Sequence, residues 1–281
     1  ISGAGLRVTV PLAQRHHGVI ESGVVDERAE IGLLTHNVRI QSDAAGGDTR
    51  GGHLMFRLSS GGAVPTARIA SVEFTNLGQA GLLGRYPVHW HWCGATTGNF
   101  MRTSSIHRCF HRSVTVHGTQ GVLVEANVAY DTLGHMYYLE DGTETGTTFR
   151  DNLGLVARRP PLGPGGIALG AMWTPPGSAV QSPWFRDHDD EPSVFYLKHF
   201  DNTVIGNAAA GAEGHGFWYH TPTTVLPTIL PRFQNNSAHS NAEHGFFQED
   251  TRCVPFDPTF TAPTVADWRS AFGAIAQFDD F

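Results

Sequence analysis

Histidines and carboxylates cluster in three short segments, YPVHWHWCG, SVTVHG and YYLEDG. Imidazoles bind divalent metals, and three nitrogen ligands leave one coordination position open for water or substrate. Nearby carboxylates could orient the imidazoles, join the ligand set, or act as general acid and base. The candidate catalytic residues are Glu140, Asp141, His117 and His89, and the candidate metal ligands are His89, His91 and His117.

The alternation of side chains along a strand predicts which of these residues share a face. If Trp90 and Trp92 point inward, His89 and His91 point outward together. By the same rule His117 points outward on the next segment, where it could meet the first two histidines. The alternative is an exterior row of polar residues beneath a loop, with no metal bound.

Basic and aromatic residues close to these segments could hold an anionic sugar chain. Arginines supply the local positive charge that a uronic-acid polymer needs, although a solvated surface role is the ordinary one for a charged residue. Aromatic rings on the outer face could stack on sugars, and at least half of them are expected in the core. The predicted substrate-binding residues are Arg85, Arg112, His220 and Trp218, with Arg102, Arg108, Tyr137, Trp173, Trp184, His199, Glu249 and Asp250 as further candidates.

The elements that must position these residues are visible as an internal repeat. Four segments, VEANVAY, FRDNLGL, VIGNAAA and FQNNSAH, place an apolar residue three before an asparagine and a small residue two after it. A repeat of about 25 residues made of short alternating strands is typical of one coil of a β-solenoid. We interpret the asparagines as an amide ladder at a corner between strands. Three histidines in identical register are interpreted as structural corner residues, namely His135, His215 and His244.

Composition supports a turn-rich β protein and excludes several other classes. The 281 residues include 33 Gly and 16 Pro, and only 16% are charged. A formal net charge of −7 argues against nucleic acid as a partner. No apolar run approaches the roughly 18 residues of a transmembrane helix. Three cysteines, Cys93, Cys109 and Cys253, follow no zinc or redox spacing, so buried free thiols are favoured over a disulfide.

We therefore predict an all-β protein, a right-handed parallel β-helix that occupies residues 1–281 as a single domain. Pro-rich or irregular stretches at 158–192 and 252–271 interrupt the repeat and are predicted to be long loop insertions, which commonly wall a binding groove. The closing sequence AIAQFDDF resembles the opening of another coil. We expect the chain to be a fragment of a longer protein, since a solenoid end needs a cap.

The same motifs resemble the family of the cell-migration-inducing hyaluronan-binding protein, transmembrane cell-surface hyaluronidase and fibrocystin-like proteins. The resemblance covers most of residues 25–250, in ERAEIGLLTHNVRIQ, GRYPVHWHWCG, SSIHRCFHRSVTVHGTQGVLVEANVAYDTLGHMYYLEDG, GNAAAGAEGHGFWY and NNSAHSNAEHGFF. It implies a right-handed parallel β-helix, an extracellular or cell-surface location, and hyaluronan binding or depolymerisation with calcium dependence. Members of the family differ in whether they degrade hyaluronan, so function transfers less safely than fold. The cysteine-poor, Ala-rich composition is more typical of a bacterial member, which leaves another uronic-acid polysaccharide open as the substrate.

Two functions fit these observations. The first is an extracellular enzyme that degrades hyaluronan or a related uronic-acid glycan, either by hydrolysis with Glu140 and Asp141 as acid and base or by β-elimination with a histidine as base. Its expected cofactor is a divalent metal, calcium or a transition metal such as zinc. The second is a non-catalytic glycan-binding or adhesion module on the same anionic, glycosaminoglycan-like polysaccharide. A purely structural solenoid is disfavoured, because clustered polar residues on aromatic-rich strands are unfavourable without a role.

Overall fold

The computed structural model describes residues 18–21, 25–26, 28–43, 49–160, 189–221 and 232–250. The chain divides into two units, residues 1–31 and residues 32–281. In the first unit, β1 (Ile20–Glu21) pairs antiparallel with β2 (Val25–Asp26). All the other described strands belong to the second unit, where they form three parallel sheets.

Each coil of the second unit contributes one strand to each sheet. The first sheet contains β4 (Leu54–Arg57), β7 (Val88–Ala95), β10 (Val114–Gln120), β13 (Tyr137–Leu139), β16 (Phe195–Leu197), β19 (Phe217–Thr221) and β22 (Phe246–Asp250). The second contains β5 (Arg68–Ala70), β8 (Phe100–Arg102), β11 (Leu123–Glu125), β14 (Thr148–Arg150), β17 (Thr203–Ile205) and β20 (Arg232–Gln234). The third contains β3 (Val38–Gln41), β6 (Val72–Thr75), β9 (Ser105–His107), β12 (Val128–Leu133), β15 (Leu153–Arg158), β18 (Ala208–Ala210) and β21 (Ser237–His239). Each strand from β3 to β19 pairs with the strand three places later in the chain, so the predicted parallel β-helix is confirmed.

Inward side chains fill the solenoid with apolar layers that repeat from coil to coil. The rings of Tyr137, Phe195 and Phe217 stack along the axis, with neighbouring centroids 4.7 Å apart and nearly parallel planes. The spacing equals that of neighbouring strands, so in-register strands bring identical positions into contact. Burial of these rings provides much of the force that holds successive coils together.

The asparagine ladder is confirmed. The side-chain amide of Asn127 donates to the side-chain oxygen of Asn152, Asn152 donates in the same way to Asn207, and Asn207 to Asn236, each at 3.0 Å. Each of these oxygens also accepts the backbone N–H of the preceding asparagine. All four side chains are buried, so the ladder satisfies corner groups that water cannot reach.

Several predictions concern segments of which only part is described. The greater part of the insertion at 158–192 and all of that at 252–271 lie outside the described residues, as do Cys253, Trp173 and Trp184. The predicted extent of the domain and of its insertions therefore stays a prediction. Cys93 and Cys109 are buried free thiols, as expected. Within the described residues, no helix is long and apolar enough to cross a membrane.

Candidate functional site

The polar cluster predicted from the sequence lies on the outer face of the first sheet. His89 and His91 are on β7, His117 is on β10, and the β pairing places His117 directly beside His91. Glu140 and Asp141 follow the end of β13, the next strand of the same sheet. Three successive coils therefore bring the five residues together, because β10 pairs with both β7 and β13.

The three imidazoles converge on one point. One ring nitrogen from each of His89, His91 and His117 lies within 4.8 Å of the other two, and the Nδ1 atoms of His91 and His117 are 3.1 Å apart. His89 Nδ1 donates to the carbonyl oxygen of Gly84 at 3.1 Å, which leaves the lone pair on Nε2. That Nε2 is buried and makes no hydrogen bond in the described structure. A metal ion is the natural partner for a buried lone pair that faces two further imidazoles.

The carboxylates approach His117 from its two nitrogens. Glu140 Oε2 lies 3.2 Å from Nδ1, and Asp141 Oδ2 lies 2.8 Å from Nε2. Glu140 Oε2 is also 3.8 Å from Nε2 of His89. One imidazole therefore separates the two carboxylates. In this arrangement the carboxylates can orient His117 as a metal ligand. The arrangement fits less well with an acid and a base that face each other across a bound sugar.

The surroundings give the three histidines different proton affinities. Burial lowers the pKa of His89 to about 3 against the opposing effect of its hydrogen bond to Gly84, and His91 and His117 lower it further when they are protonated. Burial, followed by His117 and Arg57, also lowers the pKa of His91. Burial acts in the same direction on His117, but the hydrogen bond to Asp141 and the neighbouring carboxylates more than offset it, so its pKa is raised. At neutral pH His89 and His91 are therefore neutral and can act as ligands or bases.

A buried chain of polar groups fixes Glu140 from behind. The Tyr86 hydroxyl donates to Glu140 Oε1 at 2.9 Å and accepts from Arg112 at 3.2 Å. Arg112 in turn forms two bonds to Asp189, at 3.0 and 2.8 Å, and its guanidinium lies 4.1 Å from the ring centroid of Tyr138. Burial would raise the pKa of Asp189, but Arg112 lowers it below its usual value. The prediction of Arg112 as a substrate-binding residue is wrong for this structure, because its side chain is 3% exposed and already ion-paired.

Sequence reasoning missed three residues that shape the site. Tyr86 opens the motif YPVHWHWCG, but a tyrosine gives no local sign of its partner. Asp189 lies three residues before the end of the Pro-rich stretch, and no pattern there points to Arg112. Glu144 follows the EDG motif and accepts backbone N–H groups from Gly118 at 2.7 Å and from two residues of its own loop. Glu144 thus ties the loop that carries Asp141 to strand β10.

Trp92 is not in the core, and its predicted inward orientation is wrong. His117 pairs with His91, but Thr119 pairs with Gly94, so β7 has one more residue than β10 at this point. This β-bulge breaks the alternation of side chains. Cys93 takes the inward place, and Trp92 is exposed beside His117, with ring centroids 5.2 Å apart.

The other predicted substrate-binding residues are dispersed. Arg85 is exposed and hydrogen-bonds His53. His220 contacts the hydroxyl of Tyr196 and lies 3.7 Å from Glu249. Its strand, β19, is three strands from β10, a separation of roughly 14 Å at about 4.8 Å per strand. The structure therefore does not join His220 to the histidine cluster.

Further candidates are buried or belong to other faces, which corrects the remaining predictions. Trp218 packs between Tyr196 and His215 and is 1% exposed, so it cannot stack on a sugar in this structure. Tyr137 lies in the core, and His199 is buried just after β16. Arg102 lies on the second sheet, and Arg108 follows β9 of the third sheet. The side chain of Asp250 lies outside the described residues.

Comparison with known proteins adds the following similarities. A family model described as CEMIP beta-helix matches residues 49–246. The chain is 34% identical over 271 residues to "Cell surface hyaluronidase CEMIP2" of Homo sapiens, covering 83% of this chain and 19% of that protein. It is 33% identical over 259 residues to "Cell migration-inducing and hyaluronan-binding protein" of Mus musculus, covering 79% and 18%. It is 28% identical over 349 residues to "Fibrocystin-L" of Homo sapiens, covering 100% and 8%. The chain thus spans at most 19% of the length of each of these three relatives.

Proposed function

Because the chain belongs to the CEMIP beta-helix family, we propose that it is the glycan-acting part of an extracellular or cell-surface protein that binds and degrades hyaluronan or a related uronic-acid polysaccharide. Relatives are named as hyaluronidases and as a hyaluronan-binding protein. The observation that carries the proposal is the convergence of His89, His91 and His117 beside two carboxylates. A cluster of titratable groups with perturbed pKa values is characteristic of functional sites.

The proposal includes a divalent metal held by the three histidines, with Glu140 at its side. Nitrogen ligands about 2.0–2.1 Å from a tetrahedral zinc ion lie about 3.3 Å from one another, close to the 3.1 Å between the Nδ1 atoms of His91 and His117. Three imidazoles favour zinc or another transition metal over calcium, which prefers oxygen ligands. When bound, such a cation supplies Lewis-acid charge against an anionic substrate.

The protein's own groups orient the site and move protons. Asp141 accepts from Nε2 of His117, which directs Nδ1 toward His91. The Asp141 side chain is 35% exposed and can reach a sugar, whereas Glu140 is fixed by Tyr86. In β-elimination without a bound metal, the neutral His91 would take the C5 proton of a uronate. The C4–O bond would break as the C4–C5 double bond forms, and the leaving oxygen would take a proton from water. In hydrolysis Asp141 would take a proton from the attacking water, whose oxygen bonds to the anomeric carbon as the glycosidic C1–O bond breaks, and the leaving oxygen would take a proton from water.

A non-catalytic glycan-binding module is the second candidate. It is favoured by the burial of Glu140 and by the position of His117 between both carboxylates, since no pair of acids faces an open gap. The name of one relative includes hyaluronan binding and does not mention hyaluronan degradation.

The test is to incubate the protein with hyaluronan and with other uronic-acid polysaccharides, with and without chelator. New reducing ends and the absorbance of unsaturated uronates are followed together, and bound metal is measured by mass spectrometry. His91→Ala is compared with His239→Ala, a histidine on the third sheet. Reducing ends without absorbance identify a hydrolase, and both signals together identify a lyase. Binding without either signal identifies the binding module, and a wild-type protein that neither binds nor cleaves any of the glycans contradicts the proposal.

A further inference from the structure

Trp92 is exposed at a place where strand alternation would have buried it. The residue is 54% exposed, whereas the other described tryptophans, Trp90 and Trp218, are buried. The bulge in β7 turns the small side chain of Cys93 inward instead. An indole left in water forgoes a large hydrophobic gain, so this conformation is not explained by core packing.

The backbone and the neighbouring coil are both adapted to this orientation. Trp92 has a φ of 50°, and it is the only aromatic side chain in the left-handed region among the described residues. Bulky residues rarely adopt that conformation, and strained backbone of this kind tends to cluster at functional sites. The six-membered ring of the indole lies over Gly118, where a Cβ atom would stand 2.8 Å from it. Gly118 therefore provides a flat surface on which the indole rests beside His117.

Arg57 lies one coil from the histidines on the same face. It ends β4, pairs in register with His91, and is exposed. Within the described part of the chain no carboxylate forms an ion pair with its guanidinium. The strand pairing places Arg57 directly beside His91, so its charge lies next to the histidine cluster. Arg57 on β4 lies beside His91 of β7, and Trp92, which follows His91, lies over Gly118 of β10. The exposed guanidinium and the exposed indole therefore lie on the same outer face, near His91.

We propose that Trp92 and Arg57 form a subsite for a uronic-acid ring, in which the indole stacks on the pyranose and the guanidinium binds its carboxylate. An indole offers a large rigid apolar surface to the C–H face of a sugar. A guanidinium binds a carboxylate through two parallel hydrogen bonds. Both groups adjoin the histidine cluster, so the subsite would hold the chain next to the reacting bond. This inference rests on the proposed function and identifies the uronic-acid ring as the part of the substrate that these two residues bind.

The experiment measures the affinity of the full chain for two hyaluronan octasaccharides, one native and one with every carboxylate reduced to an alcohol. Calorimetric titrations compare the wild type with Trp92→Ala, Trp92→Phe and Arg57→Gln. Val64→Ala, another exposed apolar residue, and Arg102→Gln, an exposed arginine of the second sheet, are the matched controls. Bound metal and the thermal midpoint are recorded for each protein.

Trp92→Ala is expected to weaken binding of both octasaccharides about tenfold, and Trp92→Phe much less, because a smaller ring still stacks. Arg57→Gln is expected to weaken binding of the native ligand about fivefold and to leave the reduced ligand unaffected. Metal content should not change, and loss of the strained indole should not lower the thermal midpoint.

Wild-type affinity in Trp92→Ala, or an equal loss in Val64→Ala, would overturn the stacking role. An equal loss of both ligands in Arg57→Gln would overturn carboxylate recognition. A wild-type protein that binds neither octasaccharide, nor any other uronic-acid chain, would instead overturn the proposed function itself.

Discussion

Replacement of Arg112 by methionine is predicted to destabilise the fold strongly, because it leaves a carboxylate buried without its partner. Arg112 and Asp189 are at most 3% exposed and share two hydrogen bonds of 3.0 and 2.8 Å. Removal of one member of a buried ion pair typically lowers the free energy of unfolding by about 3–5 kcal/mol. The substitution also removes the donor to Tyr86 and the cation above the ring of Tyr138.

The prediction is sharpened by a second substitution and by a control. Arg112→Met combined with Asp189→Asn should recover much of the loss, since no uncompensated charge then remains buried. The control is Arg150→Met, which removes an ion pair between Arg150 and Glu125. The N–O distance of that pair is also 2.8 Å, but the arginine side chain is 46% exposed. That exposed pair should contribute about 0–1 kcal/mol.

Urea unfolding of the four proteins, followed by circular dichroism, measures these differences. A loss below about 1 kcal/mol for Arg112→Met, or an equal loss for Arg150→Met, would refute the assignment of a buried, mutually dependent pair. The pH dependence has a definite sign. Because the folded pKa of Asp189 lies below its usual value of 3.8, its contribution is present above that pH and is lost as pH falls through the folded pKa.

Three further predictions address the site. His91→Ala should abolish retention of metal after dialysis, measured by mass spectrometry, because two imidazoles hold a divalent ion far more weakly than three; undiminished metal would count against the ligand set. Tyr86→Phe should reduce metal affinity, measured by titration with the metal, by about 10-fold or more, since it releases the Glu140 carboxylate beside the ligands. The control is Tyr137→Phe, which removes a hydroxyl that bonds to backbone carbonyls and should leave the affinity unchanged. Gly118→Ala should destabilise the protein by roughly 1–3 kcal/mol, because of its φ of 54° and the indole 2.8 Å from the new Cβ. An unchanged tryptophan fluorescence spectrum of the protein together with an unchanged unfolding midpoint would contradict the contact.

The repeat in the sequence was sufficient to predict the solenoid, its ladder and the meeting of the histidines. In a parallel β-helix every coil presents the same positions to its neighbours, so Asn127 and Asn152 must meet if both occupy the same corner. His91 and His117 are neighbours for the same reason, since each stands at the equivalent place of an outward-facing strand. Regular periodicity carries this information because strand alternation and coil stacking are both local rules.

Only the tertiary structure decided which outward residues reach solvent and which are covered. From the sequence, Arg112 is expected to be an exposed cation. In the structure it is buried and hydrogen-bonded to Asp189, which lies 77 residues away in the chain. Tyr86 reaches Glu140 across 54 residues of sequence. The exposure of Trp92 depends on one extra residue in β7, which reverses the alternation without any sign in the residue types. Pairings between distant segments and the register of neighbouring strands are properties of the packed coils, so a pattern read within one coil does not contain them.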